Sequence, residues 1–270
     1  MLTLVPTPIG NVEDITYRAV EALKRAQVYL CEDTRVAKKL FSLIKERFGV
    51  ELLTPSKKVI SLHQHNQSRF LKEIDPAFFE REVVYLSDAG MPAISDPGAA
   101  LVRYCRKNGV EYDVLPGASA FVTAFAASGF EGPFTFYGFL PSRGKERSVE
   151  LKRILNSNTH AIVYEAPHRI EELIETIAKN HPDRELFAAK ELTKKFQRYF
   201  AGRAEDILKE FSEISKKGEW VVIISANRDS CDIEEILNLE LPIGKKAKLL
   251  AEATGESAKS WYRKLLKDNN

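Results

Sequence analysis

Short apolar runs alternate with segments of helical spacing along the first half of the chain, and this alternation constrains the fold more than any other feature. The apolar runs have the length of buried strands and lie at residues 2–5, 28–31, 59–62, 83–86 and 110–114. A segment with helical periodicity follows each of them. Five such repeats predict a mostly parallel sheet that is covered by helices on both faces.

Helix-terminating residues support the same arrangement. Asp14 is a suitable N-cap for the first helix, Gly49 can end the second, and Gly129 can end a helix at residues 120–128. The alternation is less regular afterwards, and runs at residues 186–189, 198–201 and 220–225 predict a second sheet with antiparallel members. Two short basic helices, similar to a helix-turn-helix, are predicted near the C-terminus. We therefore expect α/β domains at 1–115 and 116–230 and a basic helical extension at 231–270.

Composition excludes several classes of protein. The net charge of +2 over 270 residues is too small to indicate a polyanion partner by itself. Cys31, Cys105 and Cys231 are far apart and form no metal-binding spacing, so we expect no disulfide framework and no metal. No apolar run reaches the ~18 residues of a membrane span, and the N-terminus lacks a basic signal region. The expectation is a cytoplasmic protein without a membrane association.

The loop at residues 87–98 is unusually elaborate for a connection between a strand and a helix. It contains two glycines, two prolines and two aspartates. In an open α/β sheet, ligands bind outside the carboxyl ends of the strands, where this loop begins. Gly90 permits close approach of the backbone, and the prolines stiffen the loop. Asp96 is explained by capping of the following helix, whereas Asp88 has no such explanation.

Polar side chains follow most strands of the first half. Because parallel strands end along one edge, these side chains should line one cleft: Asn11, Glu32, Asp33, Arg35, His63, His65, Asn66, Ser87 and Asp88. The alternatives are that a histidine pairs with a backbone carbonyl and that Glu32 and Arg35 form a surface ion pair. The chain has neither G-x-x-x-x-G-K-[ST] nor G-x-G-x-x-G after a strand. A ligand with an adenine, a ribose and a zwitterionic tail, but no phosphate, therefore fits these loops.

Basic residues interleave with aromatic ones in the second half. One cluster lies at residues 143–153 and another at residues 190–203, with Phe136, Tyr199 and Phe200 among the neighbouring aromatics. This pattern suits a phosphate backbone with bases stacked nearby. Solvated helix faces and a buried aromatic core explain many of the same residues.

Eight motifs, in order over roughly the first 225 residues, carry a resemblance to a known family. They are TPIGN at 7–11, EDTR at 32–35, SLHQHN at 61–66, SDAGMPAISDPG at 87–98, LPGAS at 115–119, GFLP at 138–141, YEAPHR at 164–169 and KELTK at 190–194. The chain resembles the ribosomal RNA small subunit methyltransferase I family, bacterial enzymes of the tetrapyrrole methylase superfamily. Several long motifs in order are far more specific than a lone glycine pattern.

The resemblance implies two α/β domains of the class III methyltransferase type, with S-adenosylmethionine bound in the cleft between them, and a homodimer. It also implies 2′-O-methylation of a cytidine ribose in 16S ribosomal RNA near the decoding centre, on free RNA or on the assembled 30S subunit. One alternative is a methyltransferase that acts on a porphyrin- or corrin-like ring, although the TPIGN loop and the basic clusters argue against it. The other is a non-enzymatic RNA-binding assembly factor, which would not need the loop at residues 87–98.

Site residues are carried over only where the motifs match. The implied donor contacts are Pro8, Ile9, Asp88, Ala89, Gly90, Met91, Pro92, Ala93, Ile94, Ser95, Ala118, Ser119, Tyr164 and Leu192. A general base is expected among His65, Glu165, Glu191 and Lys194, because a ribose hydroxyl is a weak nucleophile. RNA phosphates are expected at Arg35, Arg143, Lys145 and Arg147. Glutamine at positions 64 and 67, where the family usually has glutamate, removes two candidate carboxylates.

Overall fold

The fold is described from a computed structural model, which covers residues 1–94, 96, 98–227, 233–254 and 256–267. The chain forms two compact units, each with its own five-stranded sheet. Unit 1 comprises Met1–Thr123 and Leu192–Lys195, and unit 2 comprises Ala124–Glu191 and Phe196–Asn270. The three domain ranges expected from the sequence stay a prediction.

Unit 1 contains a fully parallel sheet with the strand order β3-β2-β4-β1-β5. Its strands are β1 (Leu2–Val5), β2 (Val28–Cys31), β3 (Lys58–Ser61), β4 (Val83–Leu86) and β5 (Tyr112–Val114). Its helices are α1 (Tyr17–Arg25), α2 (Thr34–Phe48), α3 (Gln67–Glu73), α4 (Gly98–Asn108) and α5 (Ala120–Ser128), the last of which continues into unit 2. Short 3-10 helices lie at Val12–Asp14 and Pro76–Glu80.

Helices cover both faces of this sheet, as the sequence predicts. On one face, Leu23 of α1 and Phe41 of α2 pack in a cluster with Tyr29 of β2. On the other face, Leu101 of α4 packs in a separate cluster with Leu4 of β1. With apolar side chains directed to both faces, the strands read as continuous apolar runs rather than alternating ones.

Unit 2 contains a mixed sheet with the strand order β6-β7-β10-β8-β9, so the predicted antiparallel members are confirmed. The strands are β6 (Phe134–Phe139), β7 (His160–Glu165), β8 (Glu185–Lys190), β9 (Arg198–Arg203) and β10 (Trp220–Ile224). Helices α6 (Gly144–Leu155), α7 (Ile170–Asn180) and α8 (Ala204–Phe211) accompany them. The sequence did not predict α8, an eight-residue helix that buries Ile207 and Phe211 in the core around Trp220.

Three helices form a small C-terminal bundle, α9 (Ile233–Asn238), α10 (Ile243–Thr254) and α11 (Ala258–Lys267). They share a core of their own, in which Ile236, Leu250 and Leu265 are buried and Trp261 packs against them. The Trp261 indole N–H donates to the Thr254 hydroxyl at 2.7 Å. The two predicted basic helices are thus confirmed as α10 and α11.

Local details differ from the expectations in one cap. Asp14 is not the N-cap of α1, because it lies in a 3-10 turn and Thr16 accepts the hydrogen bond from the Ala19 N–H instead. Gly49 does end α2 in the left-handed conformation. Cys31 and Cys105 are buried free thiols, whereas Cys231 lies outside the described residues. Within the described ranges, none of the helices is long and apolar enough to cross a bilayer.

Candidate active site

The loops after β1 and β4 are joined at the carboxyl edge of the unit 1 sheet. The backbones of Thr7 and Gly90 exchange two N–H to carbonyl hydrogen bonds, each of 3.0 Å. The Thr7 hydroxyl donates to the Ser87 carbonyl at 3.2 Å, and the Ser87 hydroxyl donates to the Gly90 carbonyl at 2.9 Å. Thr7 and Ser87 are both buried, so these bonds are shielded from water. These bonds therefore hold the two loops rigidly together.

A third loop meets them at Gly90. This residue has a φ of +79°, and a Cβ atom placed on it would lie 3.3 Å from Cγ2 of Ile9 and 3.5 Å from the carbonyl oxygen of Ala118. Ile9 follows β1 and Ala118 follows β5, so the loops of three neighbouring strands converge here. We call Ile9, Gly90 and Ala118 the Gly90 junction. All three residues belong to the predicted donor contacts.

Asp96 fixes the remainder of the β4 loop. One oxygen, Oδ1, accepts hydrogen bonds from the Tyr85 hydroxyl at 3.1 Å, the Ala93 N–H at 2.9 Å and the Gly98 N–H at 2.7 Å. Ala93 has a φ of +69°, which costs an alanine about 1 kcal/mol or more. The bond from Gly98 agrees with the capping role predicted for Asp96. The carboxylate therefore holds a strained loop as well as a helix start.

The other predicted donor contacts of this loop follow in sequence. Asp88 and Ala89 are exposed, Met91 is partly buried, Pro92 is buried, and Ile94 is 48% exposed. Ser95 lies outside the described residues. In the β1 loop, Pro8 is partly buried, and Ser119 in the β5 loop is also partly buried.

Carboxylates from β2 and β4 lie close together at this edge. Asp88 Oδ1 accepts the Asp33 N–H at 3.1 Å. Partial desolvation of its carboxyl group raises the pKa of Asp88, and the charges of Asp33 and Asp96 raise it further. Partial burial and the charge of Asp88 likewise raise the pKa of Glu32. Arg35 bonds to Asp33 at 2.6 Å and lowers the pKa of that carboxyl to about 2. The ion pair considered for Glu32 and Arg35 is thus formed by Asp33 and Arg35.

The histidines follow β3 at the far end of the same edge. The rings of His63 and His65 meet edge to face, with their centroids 5.8 Å apart. Asn66 accepts the His63 N–H at 2.8 Å and donates to the Ser61 carbonyl at 2.9 Å, which fixes the turn. The buried Nδ1 of His63 has no hydrogen-bond partner within the described chain, so that atom is not paired with a backbone carbonyl. His65 is exposed.

The segment Leu192–Lys195 packs against the β1 loop and so belongs to unit 1. The Asn11 N–H donates to the Thr193 hydroxyl at 3.0 Å, and Thr193 has a φ of +61°. A Cβ atom on Gly10 would lie 2.6 Å from Cγ of Lys194 and 2.7 Å from the carbonyl oxygen of Leu192. Gly10 was not among the predicted site residues, although it is the glycine of the TPIGN motif.

Glu191 precedes this segment and is anchored within unit 2. It has a φ of +52°, and its Oε1 accepts the Glu219 N–H at 2.8 Å. Its side chain also occupies the space beside Gly218, where a Cβ atom would lie 2.6 Å from Cγ of Glu191. A hydrogen-bonded carboxylate on a strained backbone is a feature that functional sites often show. The predicted base at Glu191 is therefore positioned by its own unit.

Glu165 lies in a buried ion network of unit 2. It accepts a bond from Arg147 at 2.7 Å and one from Arg169 at 2.8 Å, and it is only 2% exposed. Arg147 is buried as well and also donates to the Pro141 carbonyl at 3.1 Å. Two arginines neutralise this carboxylate, which is the arrangement of a structural ion pair. The ion pairs therefore disfavour Glu165 as a general base, and its burial disfavours Arg147 as a phosphate contact.

The other predicted site residues of unit 2 are more accessible. Arg143 and Lys145 are exposed at the start of α6. Tyr164 is partly buried, and its ring contacts Phe136 and Phe139 with centroids 5.0 and 5.4 Å away. Among the described residues, no group of three or more His, Cys, Asp or Glu side chains could hold a metal ion.

Comparison with known proteins identifies the family of this chain. A model of the tetrapyrrole (corrin/porphyrin) methylases matches residues 1–208. The "Ribosomal RNA small subunit methyltransferase I" of Campylobacter fetus is 43% identical over 98% of this chain and 100% of its own length. The protein of the same name from Helicobacter pylori strain 26695 is 42% identical over 100% of both chains, and the one from Thermotoga maritima is 40% identical over 83% of this chain and 97% of its own.

Solved structures agree at the level of the fold. A cobalt precorrin-4 methyltransferase matches with a TM-score of 0.60 at 15% identity, covering 83% of this chain and 94% of its own. The methyltransferase CobJ matches with a TM-score of 0.59 at 18% identity, covering 83% and 93%. The chain therefore belongs to the tetrapyrrole methylase superfamily and, within it, to the ribosomal RNA small subunit methyltransferase I family.

Proposed function

We propose that this protein transfers the methyl group of S-adenosylmethionine to the 2′-hydroxyl of a cytidine in 16S ribosomal RNA, near the decoding centre. The observation that carries the proposal is the Gly90 junction, because three loops that the resemblance assigns to the donor meet there. The RNA substrate is supported by the name that relatives of 40 to 43% identity share.

The residues at this edge fit the donor. The Ile9 side chain and the Ala118 carbonyl lie beside a position that a side chain at residue 90 would fill. Asp88 and Glu32 add carboxylates that suit ribose hydroxyls or an ammonium group. Neither motif of a phosphate-binding loop is present in the sequence, and the donor carries no phosphate. When bound, the donor supplies an activated methyl group on a sulfonium.

The chain itself has to align the nucleophile, exclude water and accept a proton. Alignment comes from rigid loops, here the bonds between Thr7 and Gly90 and the three bonds to Asp96. A positioned base accelerates such a step about 10²- to 10⁴-fold. Of the four candidates for the general base, we propose His65, Glu191 or Lys194, since Glu165 forms ion pairs with Arg147 and Arg169.

RNA phosphates are proposed to contact Arg35, Arg143 and Lys145. Arg143 and Lys145 have no ion pair in the described chain, whereas Arg35 is paired with Asp33 but leaves 90% of its side chain exposed. We further propose a homodimer in the cytoplasm, as the resemblance implies. Light scattering would give twice the chain mass of 30.5 kDa for the dimer.

Methyl transfer from labelled donor to 30S subunits tests the reaction. Subunits come from cells that lack this protein, and nuclease mapping identifies the modified nucleotide. We expect one 2′-O-methylcytidine. Labelling of a porphyrin-like ring in a parallel reaction, or no donor binding at all, would contradict the proposal and support one of its alternatives.

A pair of glycine variants tests the donor site by calorimetric titration with S-adenosylmethionine. Gly90→Ala places a methyl group at the junction, while Gly109→Ala imposes the same left-handed strain where a Cβ atom would contact nothing. We expect weaker donor binding for Gly90→Ala only. Equal binding by both variants would show that the junction does not hold the donor.

A further inference from the structure

Two helices of the C-terminal bundle, α10 and α11, concentrate the positive charge of the chain. Residues 243–267 contain seven lysines and arginines against two glutamates, a net charge of +5 in a protein whose total is +2. The remaining chain is therefore slightly acidic. Such an asymmetry indicates a polyanion partner more strongly than the total charge does.

Part of this charge serves the fold of the bundle. Lys246 donates to the Leu237 carbonyl at 2.7 Å. Lys264 bonds to Glu256 at 2.8 Å, and its ammonium lies 4.4 Å from the centroid of the Trp261 ring. These two lysines are therefore explained by local contacts.

The other five basic residues have no such explanation. The side chains of Lys245, Lys248, Lys259, Arg263 and Lys267 are exposed and make no hydrogen bond or ion pair within the described ranges. Lys259, Arg263 and Lys267 follow one another at intervals of four on α11, so they form one stripe along the helix. Successive members lie about 6 Å apart along the axis.

A shallow groove accompanies this stripe. Its volume is about 270 Å³, and its lining consists of cationic and hydroxyl-bearing residues: Ser257, Lys259, Ser260, Arg263, Lys264 and Lys267. Tyr262 is 44% exposed on the same helix. Cations and hydroxyl donors suit phosphate oxygens, and an exposed aromatic ring can stack on a base. The groove therefore complements a nucleic-acid backbone.

We propose that the α11 stripe, defined as Lys259, Arg263 and Lys267, binds the phosphate backbone of the substrate ribosomal RNA. The proposal rests on the proposed function for the identity of the RNA. The stripe adds binding energy outside the donor edge and takes no part in the methyl transfer. It should therefore affect RNA affinity and its salt dependence, while donor affinity stays unchanged.

The test uses a charge-matched pair of triple variants of the full-length protein. One replaces Lys259, Arg263 and Lys267 with glutamine, and the control replaces Arg106, Lys107 and Lys179, three exposed residues elsewhere, with the same amino acid. Both remove one arginine and two lysines. Glutamine has nearly the helix propensity of the residues it replaces, so both variants should fold.

Filter binding of labelled 16S ribosomal RNA between about 50 and 200 mM salt gives the slope of log K against log[salt]. Each lost phosphate contact reduces that slope by about 0.7 to 0.9, so the stripe variant should lose about 2 to 3. The control should keep the wild-type slope. An unchanged slope in the stripe variant, or the same loss in both variants, would overturn the proposal.

Two further measurements separate this inference from the proposed function. In methyl transfer to 30S subunits, the stripe variant should raise KM and leave kcat unchanged, and calorimetry should give wild-type donor affinity. If wild-type protein transfers no methyl group but the slopes still differ, the proposed reaction fails while the stripe stands. The single variant Arg263→Gln, with about one third of the slope change, checks that the effect does not come from unfolding of the bundle.

Discussion

Replacement of Gly10 by alanine tests how the β1 loop is packed. The new Cβ atom would lie 2.6 Å from Thr193 Oγ1, 2.6 Å from Lys194 Cγ and 2.7 Å from the Leu192 carbonyl oxygen. Carbon atoms rarely approach other atoms below 3.0 Å, and one of these neighbours is backbone, so the segment Leu192–Lys195 must move. Overpacking of this kind typically costs about 1 to 3 kcal/mol.

The hydrogen bond from the Asn11 N–H to the Thr193 hydroxyl joins the two segments that such a shift would separate. A hydrogen bond of this type contributes about 0.5 to 1.5 kcal/mol, so its loss accounts for part of that cost. Because Pro8 and Ile9 precede Gly10 in the proposed donor loop, donor binding should weaken as well. A loss of about 1.4 kcal/mol corresponds to a tenfold weaker affinity.

Urea unfolding and calorimetric titration with S-adenosylmethionine measure both effects. Gly244→Ala is the matched control, because that glycine lies in α10 and a Cβ atom on it would contact nothing. The control should be neutral or more stable by about 0.5 to 1 kcal/mol, since alanine favours a helix. If Gly10→Ala unfolds and binds like the wild type, the close packing of Leu192–Lys195 on this loop is refuted.

Three more predictions concern the carboxylates. Asp96→Ala removes the acceptor of three hydrogen bonds, so we expect the free energy of unfolding in urea to fall by about 2 to 4 kcal/mol and donor binding to weaken. The control Asp75→Ala loses one cap bond at an exposed turn and should cost about 1 kcal/mol. Burial raises the pKa of Glu32, so the charged form of this side chain destabilises the folded protein at neutral pH. Glu32→Gln should therefore raise the free energy of unfolding at pH 7. This gain should vanish below the ordinary pKa of 4.5, where Glu32 is protonated in both the folded and the unfolded protein. Glu165→Gln leaves Arg147 buried without its counter-ion and should lower the free energy of unfolding by about 3 to 5 kcal/mol. A variant with wild-type stability and a large drop in kcat would instead favour a catalytic role for Glu165.

Local sequence patterns predicted the fold of unit 1 well. Its strands are apolar runs bounded by polar residues, and helix signals such as Gly49 lie where the pattern places them. Ala204, Ile207 and Phe211 of α8 do recur at helical spacing, but the helix has only eight residues and is stabilised by packing of Phe211 against Phe200 and Trp220, two residues from other elements. Contacts that are distant in sequence carry no local pattern.

The site shows the same limit more sharply. Motif order alone assigns a set of loops to the donor, but it does not indicate that Gly10 must accommodate residues 192–194 or that Ala93 and Thr193 adopt left-handed backbone conformations. The packing around Gly10 arises from contact between segments that are 182 residues apart, as in the bond from Asn11 to Thr193, while Ala93 is held by its bond to Asp96. They depend on the packed structure and could not be predicted from spacing.

The four candidates for the base differ in the contacts that their side chains make. Glu165 accepts bonds from two buried arginines, so a proton could be taken up only after a charge pair is broken, which costs several kcal/mol. Glu191 uses one oxygen for the Glu219 N–H and sits on a strained backbone, an arrangement that orients its carboxylate. His65 is exposed after β3. In single-turnover methyl transfer, glutamine at Glu191, which keeps the acceptor for the Glu219 N–H, or alanine at His65 or Lys194 should slow the chemical step when the replaced residue is the base. Alanine at Glu165 should instead act through unfolding.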